Sequence, residues 1–221
     1  LYEAHALPVL DGLRWRPEQG TKVLVLDKDD LTKRRIFELP PFFFFHLGDG
    51  WEEADGTIRF DGCFERDPSF AAEGAKALLE GRYTRVEMPE QTLVSLHPDG
   101  RARMAGTGVS ANFPRNDPAQ AGLRQTATYY VGGYRRDRPF PSSVGVSDWR
   151  RGRAGEHNFG ARPLHEEFVP AGEWLIGTTL NLDARASELH VLRADRVADG
   201  PVASWRAEVA LPLTFHGNWV A

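Results

Sequence analysis

Two histidines sit in surroundings where an imidazole needs a partner. His46 ends the run Pro41-Phe-Phe-Phe-Phe-His46. His216 lies near the end of Leu211-Pro-Leu-Thr-Phe-His-Gly-Asn-Trp-Val-Ala221, again beside an aromatic ring. A ring nitrogen among apolar side chains must be satisfied by a hydrogen bond or by a metal ion. Transition-metal ligation, with carboxylates or amides fixing the ring tautomer, is the chemistry such residues suit. The other histidines are His5, His97, His157, His165 and His190. His97 precedes a Pro-Asp-Gly turn, His157 follows Gly155-Glu156, and His190 lies in an alternating strand, where an exposed face is expected. No H-E-x-x-H motif occurs, and the single cysteine, Cys63, makes no zinc-binding pair.

The elements that would position these residues read as strands. Thr21–Asp27, Lys33–Leu39, Thr57–Asp61, Thr84–Met88, Gln91–Leu96 and Arg101–Met104 are short apolar or alternating runs bounded by Gly, Pro and Asp. Thr126–Val131, Glu173–Leu182, Ser187–Leu192 and Ser204–Leu211 repeat the rhythm. The apolar C-terminal run predicts a further strand tied into a core. One helix is predicted over Ser69–Gly81, with Ser69 as its cap and Gly81 as its stop. Arg135–Pro163, rich in Arg, Gly and Pro, reads as a surface excursion with one strand near Val144–Trp149. About ten short strands with frequent turns predict an all-β sandwich, barrel or propeller.

Composition narrows the function. The 31 acidic and 27 basic residues give a net charge of -4, without the basic face that nucleic acid requires. No polybasic block marks an anionic membrane, and no apolar run approaches the ~20 residues of a spanning helix. One cysteine excludes an internal disulfide and fits a reducing, cytoplasmic setting. No Ser/His/Asp set or paired-carboxylate pattern stands out. The chain begins at Leu1 with the apolar run Leu-Tyr-Glu-Ala-His-Ala-Leu, which reads as the inside of a longer polypeptide.

The two histidine segments resemble the iron-binding signatures of the carotenoid cleavage oxygenases, the family that includes the retinal-pigment-epithelium isomerase. Phe215-His-Gly217 resembles the closing "F-H-G". Phe45-His-Leu-Gly-Asp-Gly-Trp-Glu-Glu53 resembles "F-H-x-x-N-A-Y-E-E", with Asp49, Gly50 and Trp51 in place of Asn, Ala and Tyr. Arg14-Trp-Arg-Pro17, Glu173-Trp-Leu-Ile-Gly177, Arg185-Ala-Ser-Glu-Leu189 and Gly200-Pro-Val-Ala203 resemble further family segments in the same order.

The resemblance implies the C-terminal blades of a seven-bladed β-propeller, with residues 1–221 forming the C-terminal portion of a single oxygenase domain. It implies a non-haem Fe(II) dioxygenase that cleaves a C=C bond of an apolar conjugated substrate with O2. A carotenoid, an apocarotenoid or a stilbene would give two carbonyl products. His46 and His216 resemble the third and fourth of four histidine ligands. The first two are expected upstream of Leu1, and His5 is a poor stand-in for either. Glu166, in His165-Glu-Glu-Phe-Val-Pro170, is the expected partner of His216, with Glu167 as the neighbouring choice. Asn112, before Phe113-Pro-Arg115, takes a position where the family places a glutamate. Glu52 is expected to hydrogen-bond near the site. Phe113, Tyr129, Tyr130, Trp149 and Phe215 are candidates for a substrate tunnel or for core packing. Some family members dock peripherally on membranes, although no segment here compels it. A non-catalytic propeller module that binds without a complete iron site is the alternative, and a glycoside-acting propeller is a third.

Overall fold

The computed structural model describes residues 12–82, 87–123, 127–135, 140–151, 153–164 and 166–220. His5, His165 and most of the strand expected at Thr84–Met88 lie outside them. The fold is all-β. A two-stranded sheet pairs β1 (Thr21–Leu26) with β2 (Arg34–Leu39), and three four-stranded sheets follow. The first contains β3 (Phe43–Glu52), β4 (Ile58–Glu65), β5 (Glu90–Leu96) and β6 (Ala102–Ser110). The second contains β7 (Asn112–Arg115), β8 (Ala127–Gly132), β9 (Ser143–Asp148) and β10 (Arg153–Asn158). The third contains β11 (Val169–Ala171), β12 (Trp174–Asn181), β13 (Ala186–Arg193) and β14 (Pro201–Arg206). Each is an antiparallel meander with its strands in chain order, which is the construction of a propeller blade. Among the described residues no helix is long and apolar enough to cross a membrane.

Several expected elements change. The helix expected over Ser69–Gly81 is a π-type turn at Phe70–Gly74 running into α1 (Ala75–Leu79). In Arg135–Pro163 the strand expected near Val144–Trp149 is β9, with Val144 fully buried, and a second strand, β10, pairs with it, so the segment belongs to a blade and is no surface excursion. The strand expected at Ser204–Leu211 is displaced to Pro201–Arg206. Residues 207–220 join no ladder and are held by bonds between Ser187 N–H and Val209 C=O (3.1 Å) and Glu167 N–H and Phe215 C=O (3.3 Å).

Packing follows from strand alternation, which sends neighbouring side chains to opposite faces of a blade. From β8 and β9, Val131, Val144, Tyr129 and Val146 face the third blade and meet Phe168, Leu175, Leu192 and Val197. Thr128, Tyr130 and Ser147 face the first blade instead, where Tyr130 packs on Cys63 and Ser147 bonds Gln91. On its other side the first blade turns Phe64, Val94 and Leu96 toward Phe37 and Leu39 of β2. Gly145 makes the Tyr130 seat: a Cβ there would lie 2.3 Å from the ring.

Candidate metal centre

The first strand of the first blade carries His46, and it is irregular on both sides of that residue. The β3–β4 register shifts between Phe44 and His46 and again between Leu47 and Gly50. Such bulges re-aim a side chain. β7 packs against β3 and brings in Asn112. His46 Nδ1 lies 2.8 Å from Asn112 Oδ1, which also accepts from Phe113 N–H at 2.9 Å. An oxygen that accepts two bonds requires the hydrogen on His46 Nδ1.

His216 arrives from the C-terminal segment. Its Nδ1 is 3.1 Å from Glu167 Oε2, and the neighbouring Gly217 N–H donates to Glu167 Oε1 at 2.9 Å. Arg115 of β7 reaches the same oxygen at 3.2 Å, and its other guanidinium nitrogen donates to Asn218 Oδ1 at 3.2 Å. Glu167 is 1% exposed, so the carboxylate that these three groups share is itself closed to water. The carboxylate requires a proton on His216 Nδ1 just as the amide does on His46.

In the neutral rings this leaves both Nε2 atoms with a free lone pair, and they face one another at 3.4 Å. Two lone pairs at this separation repel unless a cation or a proton lies between them. Nitrogens this far apart can both sit about 2.1 Å from one transition-metal ion. Neutral imidazole is the ligating form. Burial is the largest cause holding the His46 pKa below its ordinary value, and the bond to Asn112 pushes the other way. The residues therefore fit a metal, and imidazole donors suit iron among others. Among the described residues no cluster of three or more His, Cys, Asp or Glu side chains could hold an ion alone.

Aromatic rings wall the pair. The Phe113 ring is 4.5 Å from the His46 ring and 5.6 Å from the His216 ring, and Phe215 stands 6.2 Å from Phe113. Phe113 takes a left-handed backbone, φ 50°, which costs a residue with a Cβ about 1–2 kcal/mol. The strain is stored beside the histidines, where it turns the ring onto both.

The other expected site residues fall elsewhere. Glu166 does not reach His216: it bonds the hydroxyls of Thr178 (3.0 Å) and Thr214. Successive side chains on extended chain point in opposite directions, so only Glu167 can face inward. Glu52 is exposed at the far end of β3, six residues beyond His46 and on the order of 18 Å away, in a groove with Val25, Arg34 and Arg35. Glu53 beside it accepts from Trp51 Nε1. His190, expected on an exposed face, is 5% exposed, and both ring nitrogens are taken at 2.8 Å by Thr179 and Ser204. Tyr129 and Tyr130 pack between blades, and Trp149 Nε1 donates to Thr128 Oγ1. Sequence reading missed Arg115 as a partner of Glu167, although it stands in the Phe-Pro-Arg segment.

Four-stranded meanders that bring together two imidazoles, one on β3 and one on the C-terminal segment, each held from behind at Nδ1, define an all-β protein of propeller type. Its sequence matches the family model of the retinal pigment epithelial membrane protein over residues 3–221, and the chain belongs to that family. Its fold is similar to a cobalt-substituted Synechocystis apocarotenoid oxygenase, with TM-score 0.72 and 17% identity. A chimera of that oxygenase with the retinal protein aligns with TM-score 0.71 and 15% identity. Each alignment covers 94% of this chain and 45% of the other, so the chain spans about half the length of these relatives. No curated protein sequence matches it.

Proposed function

We propose that residues 1–221 are the C-terminal portion of a single propeller domain of a non-haem Fe(II) oxygenase. It cleaves a C=C bond of an apolar conjugated substrate (a carotenoid, an apocarotenoid or a stilbene) with O2, giving carbonyl products. The facing Nε2 atoms of His46 and His216, 3.4 Å apart with both tautomers fixed from behind, carry this reading. The remaining ligands lie upstream of Leu1. Bound Fe(II) supplies the O2 chemistry that no side chain can.

The residues of the chain bind and orient. His46 and His216 present lone pairs to the ion. Asn112 holds the His46 proton on Nδ1 without adding charge, whereas Glu167 does the same for His216 with a carboxylate that Arg115 and Gly217 also hold. Phe113 and Phe215 give the site an apolar face for a conjugated hydrocarbon.

Iron content of the full-length polypeptide tests this. About one ion per molecule is expected in the wild type and in His190→Ala, with loss in His46→Ala and in His216→Ala. Equal iron in all three variants overturns the ligand assignment. A full-length wild type without iron leaves the non-catalytic binding module.

A further inference from the structure

Asp61 of β4 is fully buried, and neither the fold's packing nor the histidine pair accounts for it. Its Oδ1 accepts the Asp49 N–H at 3.0 Å, within the second bulge after His46. Its carboxyl also fills the place of a side chain at Gly48: a Cβ there would lie 2.4 Å from Oδ2. Thr128 of β8, which accepts from the Trp149 indole, bonds Asp61 from the second blade. Asp49 in turn accepts the Gly122 N–H at 3.0 and 3.2 Å, tying the same bulge to the β7–β8 connection. β8 pairs with β7 at Val131 opposite Asn112. One buried carboxylate thus touches the bulge that aims His46 and the strand beside the one carrying Asn112.

We propose that Asp61 is a positioning residue: it clamps the β3 bulge to the second blade and thereby sets the His46 Nδ1 alignment on Asn112. The proposal rests on the reading of His46 as a metal ligand. A carboxylate is suited to the task because it accepts from a backbone N–H and a hydroxyl at once, which an apolar side chain of equal size cannot. Gly48 is the other half of the clamp, because any side chain there displaces the carboxyl. A misaligned Asn112 releases the proton that keeps Nε2 free.

The test uses the full-length protein with Co2+ as probe. Asp61→Leu and, independently, Gly48→Ala are expected to weaken Co2+ affinity about tenfold or more and to shift the visible cobalt bands. Asp61→Asn, which keeps an acceptor oxygen, is expected to restore both to near wild type. A merely structural Asp61 would lower the melting temperature of all three and leave the bands of the folded protein unchanged, which overturns the proposal. In the metal-free protein, the ¹⁵N shifts of His46 should report a protonated Nδ1 in the wild type and mixed tautomers in Asp61→Leu and Gly48→Ala. If the wild type takes up no Co2+, the ligand reading fails, and these tautomer shifts alone decide the clamp. Should Asp61→Leu not fold, Gly48→Ala against Asp61→Asn carries the same contrast.

Discussion

Between the second and third blades, Val131, Val144, Phe168, Leu175 and Leu192 close on one another with almost no water-accessible surface. Between the first and second, strands β8 and β9 turn their other faces, and the partners there are Asp61, Gln91, Ser147, Thr128 and Tyr130. Asp61 Oδ2, Glu65 Oε2, Gln91 Nε2 and Ser143 Oγ are buried on or beside this second contact without a hydrogen-bond partner among the described residues. The same two strands therefore serve a contact that gains from burial and one that costs desolvation. The histidine pair explains the asymmetry. His46 meets Asn112 across the polar contact, and directional bonds fix such an alignment better than apolar packing, which tolerates sliding. The apolar contact supplies stability, and the polar one supplies register.

The largest effect should come from breaking the apolar side. Phe168 stacks over Gly177 and beside Phe159 and is 2% exposed. Phe168→Ala should destabilise by about 3–5 kcal/mol. Denaturant unfolding measures it, and a loss near 1 kcal/mol would mean that the contact repacks and is not the stabilising one.

The polar side should respond to pH in the direction opposite to most acidic groups. Burial raises Asp61 to about 6 and Glu65 to about 7. Each folded-state pKa lies above its unfolded value, so the folded chain holds more protons between pH 4 and 7. Stability from these groups is present at low pH and falls as pH rises through that window. The cost at neutral pH is on the order of 3 kcal/mol for each carboxyl. Glu65→Gln should raise the unfolding midpoint at pH 7.5 and leave it little changed at pH 4.5. An equal gain at both values would show that Glu65 is not protonated in the fold.

The same asymmetry governs what could be read from sequence. Strands such as β12 and β13 alternate plainly, and the Phe-His segments point to the histidine pair. β9 showed only as a strand near Val144–Trp149, because Ser143, Gly145 and Ser147 occupy the face that packs on Tyr130 and Gln91, and β10, Arg-Ala-Gly-Glu-His-Asn, escaped because it carries no apolar period. His190 was misread for a related reason. Its buried face also holds Glu188, which Asn181, Arg162 and Arg206 satisfy, and polar residues on a buried face imitate an exposed one. The choice between Glu166 and Glu167 turns on which side of an extended chain faces the site, and no motif register fixes that. Asp61 stood in plain view as a charged residue inside a strand, yet its meaning depends on Gly48 and Thr128, one from the neighbouring strand and one from the next blade.

The smallest effect separates the cost of a buried polar atom from the value of its bond. Ser147 Oγ donates to Gln91 Oε1, and Gln91 Nε2 remains without a partner. Ser147→Ala should cost about 1–3 kcal/mol, because it leaves the Gln91 amide with neither bond in a site closed to water. Gln91→Leu alone should cost less, since the small hydroxyl can turn to another acceptor. The double change removes both polar groups and should recover most of the loss, returning to within about 1 kcal/mol of wild type. Recovery would make this part of the contact resemble its apolar counterpart in stability. If the clamp at Asp61 sets the register, the double variant keeps the His46–Asn112 alignment even so, because neither substituted residue touches the β3 bulge. Failure to recover would mean that the Ser147–Gln91 bond itself holds the blades in register, and the polar contact would then be positioned from two places instead of one.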